Sequence, residues 1–151
     1  MGFVAPTADF EQRARASFVR QRVMALIGAE LTRVAPGEVE IALPYRTDLT
    51  QQHGFLHAGV VTTIVDSACG YAAYTLMAAD ASVLTVEYKV NLLAPARGER
   101  FLARGRVLKP GRTLTVCAGD VFAYGDGQER HVATMVATMM AITDRPDVTP
   151  G

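Results

Sequence analysis

The sequence predicts one α+β domain in which a curved antiparallel sheet of about six strands wraps around a long central helix. Three observations carry this. Residues Leu56–Met77 are apolar or small almost all the way round, with Asp66 as the only charge. A helix without a polar face has to be enclosed. Most of the remaining chain falls into short runs bounded by Pro and Gly turns, several of them alternating with a period of two. Finally, the 151 residues hold no internal repeat, no low-complexity tract and no linker, so residues 1–151 form a single domain.

Residues 9–26 read as a leading amphipathic helix. Phe10, Ala14 and Phe18 recur every fourth position. Thr7 or Asp9 is expected to cap its start. Two strands follow, Gly28–Val34 and Glu38–Leu43, joined by Ala35-Pro36-Gly37. In the second, Val39, Ile41 and Leu43 share one face, and Pro44 closes it. The central helix comes next, over about 56–77. About twenty apolar residues would span a bilayer. Thr62, Thr63, Asp66, Ser67 and the lack of flanking positive charge argue for enclosure by protein instead.

The strand Val83–Leu93 is expected to alternate. Leu84, Val86, Tyr88, Val90 and Leu92 take one face, and Thr85, Glu87, Lys89 and Asn91 the other. Pro95 ends it. Phe101–Leu108 presents Arg104 and Arg106 outward. Lys109-Pro110-Gly111-Arg112 and Gly125-Asp126-Gly127 are turns on either side of Thr113–Tyr124. Glu129–Ile142 is apolar on both faces, which points to a central position or a covered outer face. Tight turns make the neighbouring strands antiparallel. The tail, about 144–151, is expected to be loose. One sheet cannot both cover the helix and hide its own edges. A dimer that joins two sheets or packs two helices together would do both.

Fifteen basic residues balance fifteen acidic ones, so no global attraction to nucleic acid or to an anionic membrane is expected. Half of the residues are apolar, which excludes a disordered chain. Cys69 and Cys117 lack CxxC spacing, arguing against a disulfide scaffold or a zinc site. Cytoplasm is the expected compartment. The serines Ser17, Ser67 and Ser82 sit in no GxSxG elbow. His53, His57 and His131 have no metal-ligand spacing, and no phosphate loop is present. No metal and no organic cofactor are expected.

The chemistry that remains lies around the central helix. A carboxylate in an apolar helix is costly unless hydrogen-bonded. Desolvation raises its pKa toward the range of a neutral-pH acid or base, so Asp66 is either a general base or a structurally bonded side chain. At the helix start, Ala58 and Gly59 offer backbone N–H groups with no intrahelical partner, a ready oxyanion site. Nine residues of helix put His57 and Asp66 about 13.5 Å apart along the axis and on opposite sides. If both serve one site, Asp66 must come from a second subunit.

The stretch from Gln51 to Asp66 resembles the acyl-CoA thioesterases of the hotdog fold, of the phenylacetate-pathway type. Their pattern is Asn-x-x-Gly-x-x-His-Gly-Gly, then six residues and Asp. Here Gly54, His57, Gly59 and Asp66 fall in register. Ala58 replaces the first Gly after the His, and Gln51, with Gln52 as competitor, stands for the Asn. The resemblance extends over about residues 10–143. It implies thioester hydrolysis in a homodimer with shared sites, or a dimer of dimers, without a cofactor. The Ala58 N–H, with Gly59 nearby, would polarise the carbonyl. Asp66 would activate water or attack directly. Gln51 and His57 would position the reacting groups, and Thr85 would assist. Arg97, Lys109 or Arg112 would meet the CoA phosphates. The acyl group is expected to be medium- or long-chain aliphatic, with aromatic groups as the rival. The competing reading is a non-catalytic acyl-CoA-binding or sensing module.

Overall fold

The central helix forms over Ala58–Tyr74 (α3) with His57 as its N-cap, shorter at both ends than the apolar stretch that announces it. The computed structural model describes residues 2–145 and 148. Around α3 runs a sheet of six strands in the order β1-β2-β4-β5-β6-β3. They are β1 Glu30–Ala35, β2 Glu38–Pro44, β3 Ser82–Leu92, β4 Arg100–Lys109, β5 Leu114–Gly125 and β6 Gln128–Ile142, and every neighbouring pair is antiparallel. The doubly apolar β6 is an interior strand, between β5 and β3. Asp126 and Gly127 both have positive φ, 52° and 70°, making the two-residue turn that suits the twist of the β5–β6 hairpin. No helix among the described residues is long and apolar enough to cross a membrane.

What seats α3 on the sheet is a pair of glycines facing each other across β4 and β5, Gly105 and Gly119. A Cβ on Gly105 would lie 2.3 Å from the Ala68 carbonyl carbon, and one on Gly119 2.5 Å from Val65 Cγ2. The helix backbone therefore rests directly on the strands. Val65, Ala68 and Cys69 are fully buried there, with Ile41, Phe101 and Val121 beside them.

One expectation about the leading segment is corrected and another is met in position only. It is two helices, α1 Phe10–Arg20 and α2 Arg22–Ile27, separated by Gln21 in an extended conformation (φ −79°, ψ 91°). The stripe through Ala14 and Phe18 would continue at Gln21 or Arg22, both polar. Breaking the helix there resets the phase and buries Met24 and Ile27. Neither suggested residue caps α1 with its side chain. Asp9 holds the N-cap position without such a bond, and Thr7 Oγ1 instead accepts from Arg13 at 3.1 Å.

The expected alternation of β3 is also corrected. The pairing with β6 slips between Thr85 and Glu87, leaving Val86 as a bulge. Thr85 pairs with the buried Met139, whereas Glu87 pairs with Thr138 on the opposite face. Thr85 thus joins the face of Tyr88, Val90 and Leu92, toward α3. β3 is a sheet edge, and Leu84, Val86, Tyr88 and Leu92 are each about half exposed, at 47%, 51%, 46% and 54%. The tail expected to be loose lies largely outside the described residues; within it, Val148 N–H donates to the Arg145 carbonyl.

Candidate active site

Asp66 lies midway along α3, half-buried, on the side facing β3. Its Oδ1 accepts a hydrogen bond from Thr85 Oγ1 at 2.9 Å, and Thr85 also contacts Met139 Sδ at 3.4 Å. The bulge at Val86 makes this bond possible, since strict alternation through it would put Thr85 and Glu87 on one face. Among the described residues no cation forms an ion pair with Asp66, although Arg20 lines the same cavity. Desolvation raises its carboxyl above the ordinary carboxylate value, and the Thr85 bond only partly offsets this. The carboxyl opens on a cavity of about 310 Å³ between α3, β3 and the α1–α2 break, which Val148 also lines.

The other sequence candidates gather at the start of α3. His57 is its N-cap, and its Nδ1 accepts from Gly59 N–H at 2.8 Å. The ring proton therefore sits on Nε2. A Cβ at Gly59 would come 3.0 Å from His57 Nδ1 and crowd this cap. The Gly59 N–H is thus occupied, while no described acceptor takes the exposed Ala58 N–H. Gln51 Oε1 accepts from Phe55 N–H at 3.3 Å and from His53 N–H, which closes the loop leading to the helix. Its amide nitrogen remains available. Gln51, not the exposed Gln52, lines a mainly apolar cavity of about 480 Å³ together with Ala58, Val61, Leu92 and Pro95. Gly54 takes φ +82° in that loop, a conformation that favours glycine.

Within one chain these two groups stay apart. Ala58 and Asp66 are eight residues along one helix, about 12 Å of rise. They line different cavities. The basic candidates separate as well. Arg97 lines a polar cavity of about 470 Å³ with Gly54 and Arg130, beside the start of α3. Lys109 and Arg112 flank the far end of β4, about 30 Å from its beginning at Arg100. The buried thiols are inert: burial pushes Cys117 up to about 12 and Cys69 higher still.

Residues the motif did not mark complete the Asp66 cavity. They include Ser17, Arg20, Gln21, Ser67, Gly70 and Tyr71. The signal was present in the sequence, since the stripe of the leading helix runs into polar residues at Gln21.

The profile of the thioesterase superfamily matches residues 53–129, the span from the loop before α3 to the start of β6. The chain belongs to the thioesterase superfamily. It has the hotdog fold of that family, a sheet curved about one long helix. A thioesterase family protein from Silicibacter pomeroyi is 58% identical, with a TM-score of 0.88 over 89% of this chain and 98% of that one. A Saccharolobus solfataricus protein, provisionally named an esterase, is 33% identical over 119 residues, covering 79% of this chain and 77% of its own. Human acyl-coenzyme A thioesterase 13 is 29% identical over 99 residues, 65% of this chain and 70% of its own. Ala58 and Asp66 both fall within the matched span.

Proposed function

We propose that the protein is an acyl-CoA thioesterase of the phenylacetate-pathway type, working in the cytoplasm as a homodimer with shared active sites. The observation that carries this is Asp66, a carboxylate with no ion-pair partner among the described residues, raised by desolvation and held by one hydroxyl over an open cavity. A sensing module would need the cavity but not that carboxylate. Two α3 helices antiparallel across a two-fold axis bring Ala58 of one protomer to Asp66 of the other. The half-exposed apolar edge of β3 favours such a pairing, because an open edge strand is otherwise an aggregation hazard.

In the shared site the thioester carbonyl accepts from the Ala58 N–H, where the helix dipole favours developing negative charge. Asp66 of the partner subunit, oriented by its own Thr85, takes a proton from water as the water oxygen attacks the carbonyl carbon. The tetrahedral oxyanion collapses, the C–S bond breaks, and the proton held on Asp66 passes to the departing CoA thiolate. The products are a carboxylic acid and CoA thiol. Gln51 Nε2 and His57 Nε2–H supply further donors beside the carbonyl. The apolar cavity at Ala58 suits the pantetheine arm, and Arg97 beside it suits a CoA phosphate.

Release of free thiol from a panel of acyl-CoAs tests the reading. Turnover is expected. Binding without turnover would favour the sensing module. If Asp66 instead attacks directly and water then opens the mixed anhydride at the Asp66 carbonyl, single turnover in ¹⁸O-water of enzyme with unlabelled Asp66 leaves the first acid product unlabelled and puts the label on Asp66.

A further inference from the structure

The wall that α1 and Gln21 give to the Asp66 cavity is polar, and the break between α1 and α2 makes it so. Leaving the helix at Gln21 brings that side chain against α3, where its Oε1 accepts from Ser67 Oγ at 3.2 Å. One turn earlier in α1, Ser17 Oγ shares a hydrogen bond with Tyr71 Oη at 3.1 Å. Both pairs line the cavity. Their donor balance is uneven. Ser67 uses the Gln21 carbonyl oxygen, and no described acceptor takes either hydrogen of the Gln21 amide nitrogen. The Ser17–Tyr71 pair spends one hydroxyl hydrogen and keeps one. The wall therefore has donors to spare, and Arg20 adds a cation to the same cavity. Burial raises the Tyr71 phenol, so this hydroxyl keeps its proton at neutral pH.

The space in front of this wall is real. Gly70 lies one helical turn beyond Asp66, and a Cβ there would meet only Met139 Sδ, at 4.0 Å. This glycine leaves volume open and relieves no clash. A cavity of about 310 Å³ holds on the order of ten non-hydrogen atoms, at the ~30 Å³ that each water takes in the liquid. That accommodates a short acyl group.

We propose that the enzyme selects short acyl groups bearing a hydrogen-bond-accepting oxygen, keto or hydroxyl, at the end remote from the thioester, with Gln21 as the specificity-determining residue. This rests on the thioester chemistry assigned to Asp66 above. A plain alkyl end would strip water from the Gln21 amide and return nothing. A site built to hydrogen-bond its substrate discriminates against the analogue that lacks the partner.

The test compares hexanoyl-CoA, 5-oxohexanoyl-CoA and 6-hydroxyhexanoyl-CoA. kcat/KM is measured on the wild type, and Kd for the same three compounds on Asp66→Asn. Both oxygenated substrates should exceed hexanoyl-CoA by about tenfold. Gln21→Glu keeps the length and the acceptor for Ser67 but loses the amide hydrogens. It should lose the keto preference and keep the hydroxyl preference, because a hydroxyl can donate to the new carboxylate. Gln21→Leu should lose both, and if it does not fold, the keto–hydroxyl split in Gln21→Glu decides. Equal kcat/KM for all three substrates in the wild type, or an unchanged preference in Gln21→Glu, overturns the proposal. If nothing is hydrolysed, the thioesterase reading falls. The Kd order then decides the selectivity, supporting it if the oxygenated compounds bind more tightly and overturning it if all three bind alike.

Discussion

Two half-buried aspartates lie on opposite sides of the sheet, and their surroundings drive them in opposite directions. Asp120, on the outer face of β5, is bonded by Arg106 at 2.8 Å and by His131 at 2.8 Å. Burial alone would raise its carboxyl, but these bonds outweigh it and hold Asp120 below the ordinary value. His131 in turn stacks on Phe122, and Arg104 lies over the same ring. Asp66, on the inner side, has Thr85 and no ion pair among the described residues, and burial holds it above the ordinary value. A neutralised carboxylate in a saturated network stabilises a face. A carboxylate left without a counter-charge beside a cavity is suited to accept a proton. Reactivity here comes from the partners that are withheld as much as from those supplied.

Activity should separate the two most strongly. Asp66→Asn is expected to lower kcat by at least about 10²-fold, the usual size of a general-base contribution, with the fold intact by circular dichroism. Asp120→Asn should leave kcat within about threefold, because it only trims a surface network. Near-normal kcat in Asp66→Asn would remove that residue from the mechanism.

Stability should separate them in the opposite sense. Asp120→Asn is expected to lower stability at pH 7 by about 1 kcal/mol, from the loss of charge-assisted bonds at a partly exposed site. Asp66→Asn should raise the Tm at pH 7, since the Thr85 bond offsets only part of the desolvation of ionised Asp66. The pH dependence follows from the signs. Asp66, raised in the fold, contributes stability that is present below its unfolded value and lost as pH rises through its folded value. Asp120, lowered, contributes stability that is present above its unfolded value and lost as pH falls through its folded value. Thermal melts of both variants between pH 3 and 8 check this. A Tm for Asp66→Asn below wild type at every pH would mean that Asp66 is structural.

The smallest effect is kinetic. The acid limb of kcat against pH should lie above the ordinary carboxylate range, and Thr85→Val should move it further up by removing the hydroxyl that favours the charged form. A limb at the usual carboxylate position would show that Asp66 does not act as the base.

Much of this was legible in the sequence, and the parts that were not have physical reasons. The isolation of Asp66 in an apolar helix marked the residue, and tight turns marked the antiparallel sheet. The bulge at Val86 carries no local signal, since a β-branched residue in an alternating run reads as ordinary strand. It is nevertheless what places Thr85 on Asp66. The Gly105–Gly119 saddle depends on register between distant segments, which one sequence does not reveal. Only the structure assigns the Gly59 N–H to His57, leaving the Ala58 N–H as the open donor.

The central claim is that Ala58 of one protomer and Asp66 of the other make one site. Mixing two inactive variants, Asp66→Asn and Ala58→Pro, tests it most directly. His57 already has the extended ψ of 137° that suits a residue before proline, and proline is tolerated in the first helical turn, so Ala58→Pro should fold while losing about 10²–10³ in turnover. In a mixed dimer with shared sites, one site carries both defects and the other carries none. With free reassortment, half of the dimers are mixed and each has one intact site, so about a quarter of wild-type activity should return. Exchange of subunits, shown by native mass spectrometry, with no recovery of activity would place the whole site within one chain and contradict the account.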